Sequence, residues 1–111
     1  MSISYPPASA SSAIVAGVTF TNSSPTNSTP FTISAANPNR LGGAMIVNYN
    51  SAPLLIAFNS SPGAIDPSSG NVLQIPPGGG VYDIPASYQG SLTGILSAAG
   101  TGAILFVEPH R

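Results

Sequence analysis

Charged side chains are nearly absent from this chain of 111 residues. They make up 5% of the sequence, and lysine does not occur, whereas an ordinary soluble domain has roughly 25% charged residues. Disorder driven by charge is therefore excluded, because it requires low hydrophobicity together with high charge. The two arginines cannot neutralise enough phosphates for nucleic-acid binding, so we expect no nucleic-acid partner.

Cysteine and long apolar runs are also missing. Without cysteine the chain forms neither a disulfide framework nor a thiolate metal site, and its carboxylates are scattered rather than clustered as metal ligands. No apolar run approaches the ~18 residues of a membrane-spanning helix, and the N-terminus lacks the basic start of a secretory signal. We expect no metal, no cofactor, no membrane partner, and synthesis in a cytoplasm.

Catalytic chemistry finds little support in the sequence. The single histidine, His110, stands almost at the C-terminus, in a predicted mobile tail, whereas catalytic groups need rigid support. Three glycines at 78–80 are followed by neither a lysine nor a helix, so they predict a hairpin turn rather than a phosphate-binding loop. We therefore predict that the chain is not an enzyme.

Apolar residues and turn-forming residues dominate what is present. Apolar residues make up 42% of the chain, enough for a core, and glycine and proline occur 12 times each. They separate short segments rich in Val, Ile, Leu, Phe and Tyr, which is typical of an all-β sandwich or barrel. The sequence predicts a small antiparallel β-sandwich or barrel of 7–8 short strands with an extended N-terminal arm. The predicted strands are 13–20, 30–36, 43–50, 53–59, 71–76, 80–84, 91–97 and 103–108.

The first 28 residues differ from the rest in composition. Two segments rich in Ser, Thr, Asn and Pro flank one apolar run, so residues 1–28 are predicted to be an arm carrying the strand 13–20, and 29–111 the β-domain. Burying each large apolar side chain is worth roughly 1.5–3 kcal/mol, so either this chain's own sheet or a neighbouring subunit should cover the arm; a terminus without fixed structure is the third interpretation. The candidate assembly contacts are Tyr5, Ile14, Val15, Val18 and Phe20.

Arg40 follows a turn sequence directly. Pro38 fixes its own φ, and the asparagines on either side, Asn37 and Asn39, tolerate bent conformations. An arginine placed just after such a turn can donate to several loop carbonyls with its five N–H groups. We interpret Asn37, Pro38 and Arg40 as a lock on the start of the strand 43–50, with a contact between subunits as the alternative.

Two tyrosines in the C-terminal half, Tyr82 and Tyr88, are candidate ligand or interface aromatics. Tyrosines near strand ends can form a platform on which sugars stack. More often they pack at sites that are partly exposed to water, because the ring is apolar and the hydroxyl at its tip is polar. The sequence favours packing and leaves the sugar platform as the alternative.

Three stretches together resemble a recurring small module of tailed-phage virion proteins. They read NPNRLGGAMIVNYNSAPLLIAFN, LQIPPGGGVYDIP and GSLTGILSAAGTGAILFVEP, and the likeness covers residues 37–109. The chain departs from the pattern at Gly42 and Gly43, where larger residues are usual. The matching positions are Asn37, Pro38, Arg40, Asn48, Asn50, Ser51, Phe58, Pro77, Gly78, Gly79, Ala99 and Gly100.

The resemblance implies a β-sandwich or β-barrel virion protein without catalytic activity. Its first implication is a capsid decoration (cement) protein that stabilises the head shell by binding across joints between capsid subunits. The implied partners are the major capsid protein and copies of itself, as a homotrimer, on the capsid surface after assembly in the host cytoplasm. The alternative is a head-fibre or tail-associated module that binds host surface glycans. A small β-barrel enzyme is a third hypothesis, which the resemblance does not imply.

Overall fold

The computed structural model describes residues 16–58 and 73–111. Within these ranges the chain forms eight strands and no helix, so the predicted all-β fold is confirmed. The strands are β1 (Gly17–Ser23), β2 (Phe31–Ser34), β3 (Met45–Asn48), β4 (Leu54–Phe58), β5 (Leu73–Ile75), β6 (Gly80–Asp83), β7 (Leu92–Leu96) and β8 (Ile104–His110).

Each predicted strand has an observed counterpart, and the largest shift occurs at the first strand. β1 lies a few residues later than the predicted strand 13–20, of which 13–15 fall outside the described residues. β8 continues past Glu108 through Pro109 to His110. The predicted mobile tail is therefore wrong: His110 pairs with Gly17 of β1 and forms an isolated bridge with Arg40.

The strands form two four-stranded sheets, and every pairing is antiparallel. Sheet A has the order β1-β8-β3-β6, and sheet B has the order β2-β7-β4-β5. Side chains alternate between the two faces of a strand, so each sheet turns one apolar set toward the other sheet. The core between the sheets consists of Ile33, Ala44, Ile46, Ala52, Leu54, Ile56, Ile75, Ile84, Leu92, Leu96, Ile104 and Phe106.

The turn between β5 and β6 contains the predicted glycines, but the predicted hairpin is wrong, because β5 belongs to sheet B and β6 to sheet A. Gly78 and Gly79 have φ of 75° and 109°, values that glycine adopts without steric cost. The backbone N–H groups of Gly78 and Gly79 donate to the carbonyl oxygens of Asn50 and Asn48, at 3.2 and 2.6 Å. The turn is thereby tied to the last residue of β3 and to the connection that leads from β3 to β4 in the other sheet.

Candidate functional site

Arg40 lies inside the domain, with 2% of its surface exposed. Its Nε donates to Oε2 of Glu108 on β8 at 2.6 Å, and the glutamate side chain is itself only 12% exposed. The guanidinium carbon lies 5.4 Å from the ring centroid of Phe106, a distance at which a cation is attracted to the ring face. Arg40 therefore contacts both the apolar core, through Phe106, and the largely buried carboxylate of Glu108.

The remaining guanidinium N–H groups of Arg40 all donate to polar atoms at the end of β2 or in connecting segments. Nη1 donates to the carbonyls of Gly90 and Tyr88, at 2.8 and 3.4 Å. Nη2 donates to Oγ of Ser34 and to the carbonyl of Ala35, at 3.1 and 3.0 Å. With Nε on Glu108, one side chain holds the end of β2, the connection from β6 to β7, and β8, and so links the two sheets.

The turn before Arg40 is closed by asparagine and glutamine. Asn39 donates its backbone N–H to Oδ1 of Asn37 at 2.9 Å, and the Arg40 N–H donates to the Asn37 carbonyl at 3.1 Å. Nε2 of Gln89 donates to the carbonyls of Pro38 and Arg40, at 2.8 and 3.1 Å. Gln89 and Glu108 were missed at the sequence level, because nothing local to either residue marks a partner so distant in the chain.

Two asparagines form a second buried polar cluster, and both are fully buried. Nδ2 of Asn48 donates to the carbonyls of Ala52 and Ile75, at 3.0 and 3.1 Å. Asn50 accepts from the Ala52 N–H at 3.0 Å, and its Nδ2 donates to the carbonyls of Pro25 and Gly102, at 3.0 and 2.9 Å. Four separate segments of backbone are joined by these two side chains.

The ion pair has a consequence for the surface. Of the five charged side chains in the sequence, Arg40 and Glu108 compensate each other inside the domain. Among the described residues this leaves Asp83 and Arg111 as the charged side chains classed as exposed. The surface is therefore poorer in charge than the composition alone indicates.

The side of sheet A that points away from sheet B is apolar. Phe20 is paired with Val107, Met45 is also paired with Val107, and Val47 is paired with Leu105 and Val81, so these side chains share one face. We call this surface the outer face of sheet A. Its apolar members within the paired strands are Val18, Phe20, Met45, Val47, Val81, Leu105, Val107 and Pro109, of which Val47 and Val107 are themselves buried. Tyr49 continues the alternation just after β3, where its N–H donates to the carbonyl of Ala103.

This outer face carries most of the large apolar side chains that are open to solvent. Phe20 is 64% exposed, Tyr49 56%, Val81 54% and Val18 47%, and the remaining exposed large apolar residue among those described is Leu73 at the edge of sheet B. Asp83 is the one charged side chain that shares the face, since it is paired with Met45. The arrangement suits burial against another macromolecule and offers no ionic recognition.

The predicted aromatic candidates do not lie on that face. The ring centroids of Tyr82 and Tyr88 lie 6.2 and 4.7 Å from that of Phe58, in edge-on geometry, and both rings pack against the core. The Tyr88 hydroxyl donates to the carbonyl of Ser91. Of the predicted assembly contacts, Val18 and Phe20 lie on the outer face of sheet A, whereas Tyr5, Ile14 and Val15 lie outside the described residues.

The described part of the chain contains no pocket and no group of three or more potential metal ligands. It also contains no helix long and apolar enough to cross a membrane. The outer face of sheet A is the candidate functional site because it exposes Phe20, Tyr49 and Val81 to solvent. Comparison of the chain with protein-family models, with curated proteins and with solved structures gives no match.

Proposed function

We propose that this protein is a non-enzymatic structural component of a tailed-phage virion, a capsid decoration protein that docks on the major capsid protein through the outer face of sheet A. The observation that carries the proposal is that face itself, on which Phe20, Tyr49 and Val81 are each more than half exposed. Soluble monomers rarely expose a large contiguous apolar patch, and such patches mark interaction sites. The assignment to a virion comes from the resemblance of residues 37–109.

The mechanism is mechanical. The centres of protein interfaces are depleted of charged residues, and the outer face of sheet A has a single one, Asp83. A surface of this kind binds by area and shape, because no ionic group has to lose its water. Seated across a joint between capsid subunits, the rigid sandwich would hold them together against outward pressure.

The hypothesis of a glycan-binding module gains no specific observation. It depends on Tyr82 and Tyr88 as a stacking platform, and both rings are engaged with Phe58 and the core. The proposed function therefore does not use them. A particle assay distinguishes the two hypotheses, since a decoration protein is present in numbers comparable with the capsid subunit and a fibre or tail module is present in few copies.

The test uses purified virions of the phage that encodes the chain, together with particles from a strain in which its gene is deleted. Quantitative mass spectrometry should find the protein at a fixed, high ratio to the major capsid protein. Added back to the deleted particles, the purified protein should bind and raise the temperature at which the heads release DNA. Absence from the virion, or a few copies confined to the tail, would refute the proposal.

Val81→Asp should abolish attachment to these particles without affecting the fold. Val81 is 54% exposed on the outer face of sheet A, so an aspartate there costs little in the free protein but would be buried without a partner in the complex. The matched control is Leu73→Asp, the same change at an apolar residue that is 42% exposed on the other sheet. Co-sedimentation with the deleted particles measures binding, and thermal unfolding verifies the fold.

The Leu73→Asp protein should attach like the unmodified chain. If both variants attach normally, the outer face of sheet A is not the docking surface. If both detach, the loss reflects added negative charge in general and the assignment to one face fails.

Attachment should also depend little on ionic strength. Asp83 and Arg111 are the exposed charged side chains that the structure describes, and surface ion pairs contribute only about 0–1 kcal/mol each. Salt therefore has few electrostatic attractions between the protein and its partner to screen. Binding measured from low salt to 1 M sodium chloride should vary less than tenfold, and complete release at moderate salt would contradict docking by apolar area.

A further inference from the structure

β1 occupies an edge of sheet A and has little else to hold it. It is paired along its whole length with β8, from Gly17 with His110 to Ser23 with Ile104, and no described strand lies on its other side. Its five central side chains are all exposed, including those on the face directed toward sheet B. The strand is thus attached by its backbone ladder more than by side-chain burial.

The ladder fixes which backbone groups of β1 face the open edge. The N–H of Tyr49, at the end of β3, donates to the carbonyl of Ala103 at 2.9 Å, so the odd-numbered residues of β8 direct their backbone groups toward β3. The even-numbered residues then face β1, where their partners include Thr19 and Thr21. The β1 residues whose N–H and C=O groups point away from β8 are Val18, Phe20 and Asn22.

Within the described residues, this edge carries no charged side chain, proline or bulge that would keep it from pairing with another chain. In natural proteins, charged side chains, proline or a bulge in an edge strand hinder its pairing with strands of other molecules. The first 39 residues of the chain contain no charged residue, β1 contains no proline, and its register with β8 runs without a shift. An unprotected, regular edge is a template for a further antiparallel strand.

We propose that β1 pairs antiparallel with β1 of a second copy of this chain, joining two A sheets into one across a two-fold axis. Phe20 is the middle residue of Gly17–Ser23, so pairing centred there places Phe20 opposite its own equivalent and Val18 opposite Asn22 of the second copy. The outward N–H and C=O groups of these three residues then satisfy one another. A surface that is complementary to itself in this way closes as a dimer.

Two features favour β1 of a second copy of this chain over a strand of a different protein as the partner. The segment is uncharged, so two copies approach without repulsion, and the central pair would be two phenylalanines, which stabilise a sheet when they lie directly opposite. Phe20 is 64% exposed in the single chain, and the partner ring would cover part of it. The pairing also places both outer faces of sheet A on one side, as one continuous surface.

The inference does not depend on the proposed virion function, because the purified chain alone should form the dimer. Sedimentation equilibrium and native mass spectrometry should show twice the chain mass of 11.1 kDa, in place of the trimer that the resemblance implies. Hydrogen exchange on the unmodified protein gives a second measurement. Amides of Val18, Phe20 and Asn22 should be protected at high concentration and lose protection at least tenfold on dilution, whereas those of Thr19 and Thr21 stay protected.

Charge variants at position 20 test the register. Phe20→Asp and Phe20→Lys each place like charges directly opposite in a dimer, which is destabilising, so each alone should be monomeric. Mixed in equal amounts they should form a dimer that contains one chain of each kind, identified by its mass. The control pair, Val81→Asp and Val81→Lys, puts the same charges on β6 at the opposite edge of sheet A and should leave the dimer intact.

Several results would overturn the proposal. These are a monomeric or trimeric unmodified protein, outward amides whose exchange is independent of concentration, and a mixture of the position-20 variants without a mixed dimer. Loss of the dimer in the Val81 variants would place the interface on the other edge and would also overturn it. If the position-20 variants fail to fold, as judged by circular dichroism, the exchange measurement on the unmodified chain decides.

Discussion

Arg40→Ala is expected to lower the free energy of unfolding by about 3–5 kcal/mol, the cost of breaking a buried ion pair by removing one partner. The change leaves Glu108 without its cation in a site where the carboxylate is only 12% exposed. It also removes the donors that satisfy the carbonyls of Ala35 and Gly90. Because a domain of this kind has a total stability of about 5–15 kcal/mol, the variant should lose a large fraction of its stability.

Urea unfolding followed by circular dichroism measures this loss, and the chain supplies its own control. Arg111→Ala removes the other arginine, which is exposed, and should change the stability by less than about 0.5 kcal/mol. Arg40→Lys keeps the charge but not the planar set of five donors, so its stability should fall between those of the alanine variant and the unmodified chain. If Arg40→Ala leaves stability unchanged and abolishes assembly, the arginine serves a contact between subunits instead.

Asn50→Asp should be strongly destabilising although it changes the size of the side chain very little. The Nδ2 of Asn50 donates to the carbonyls of Pro25 and Gly102, and the residue is fully buried. One carboxylate oxygen would keep the N–H of Ala52 as its donor, but the other would face the carbonyl oxygens of Pro25 and Gly102, neither of which can donate. An uncompensated buried charge costs about 3–5 kcal/mol, which we expect as the loss in free energy of unfolding at pH 7.

The pH dependence of that loss identifies its cause. Burial opposite two carbonyls should raise the pKa of the new carboxyl in the folded state, so the folded variant binds a proton more readily than the unfolded chain. The loss in free energy of unfolding, relative to the unmodified chain, should therefore become smaller as the pH falls. It should be smallest below about pH 4, where an ordinary aspartate is protonated. Asn39→Asp makes the same change at an exposed position and should have little effect; an equal loss there would contradict the explanation.

The strands could be predicted because the signals that define them are local. Alternation of apolar side chains and the spacing of glycine and proline are read within a few residues, and all eight predicted strands are present. The glycine turn at 78–80 followed from the φ values that glycine alone adopts freely. The end of β8 was misplaced, because Pro109 reads as a strand terminator. In the fold it lies opposite Val18, at a position where the ladder requires no N–H from it.

The contacts of Arg40 could be predicted from the sequence only in part. The turn formed by Asn37 and Pro38 is visible in the sequence, and so is an arginine placed to donate to nearby carbonyls. The carboxylate that pairs with it, Glu108, stands 68 residues away in the chain. Nothing local distinguishes it from Asp83, which the fold leaves exposed, and only the approach of β8 to the turn makes one acid the partner of the arginine.

By itself, the sequence determined that the chain forms short antiparallel strands around an apolar core, with an almost uncharged surface. The tertiary structure alone decided which apolar side chains that surface retains. Phe20 and Val81, each more than half exposed, belong to strands far apart in the chain, and the order β1-β8-β3-β6 brings them onto one face. The physical reason is that alternation along the sequence assigns each residue to one of the two faces of its own strand. Hydrogen bonding between strands then decides which strand faces lie side by side in a sheet, and packing of the sheets decides which face of the sheet is covered.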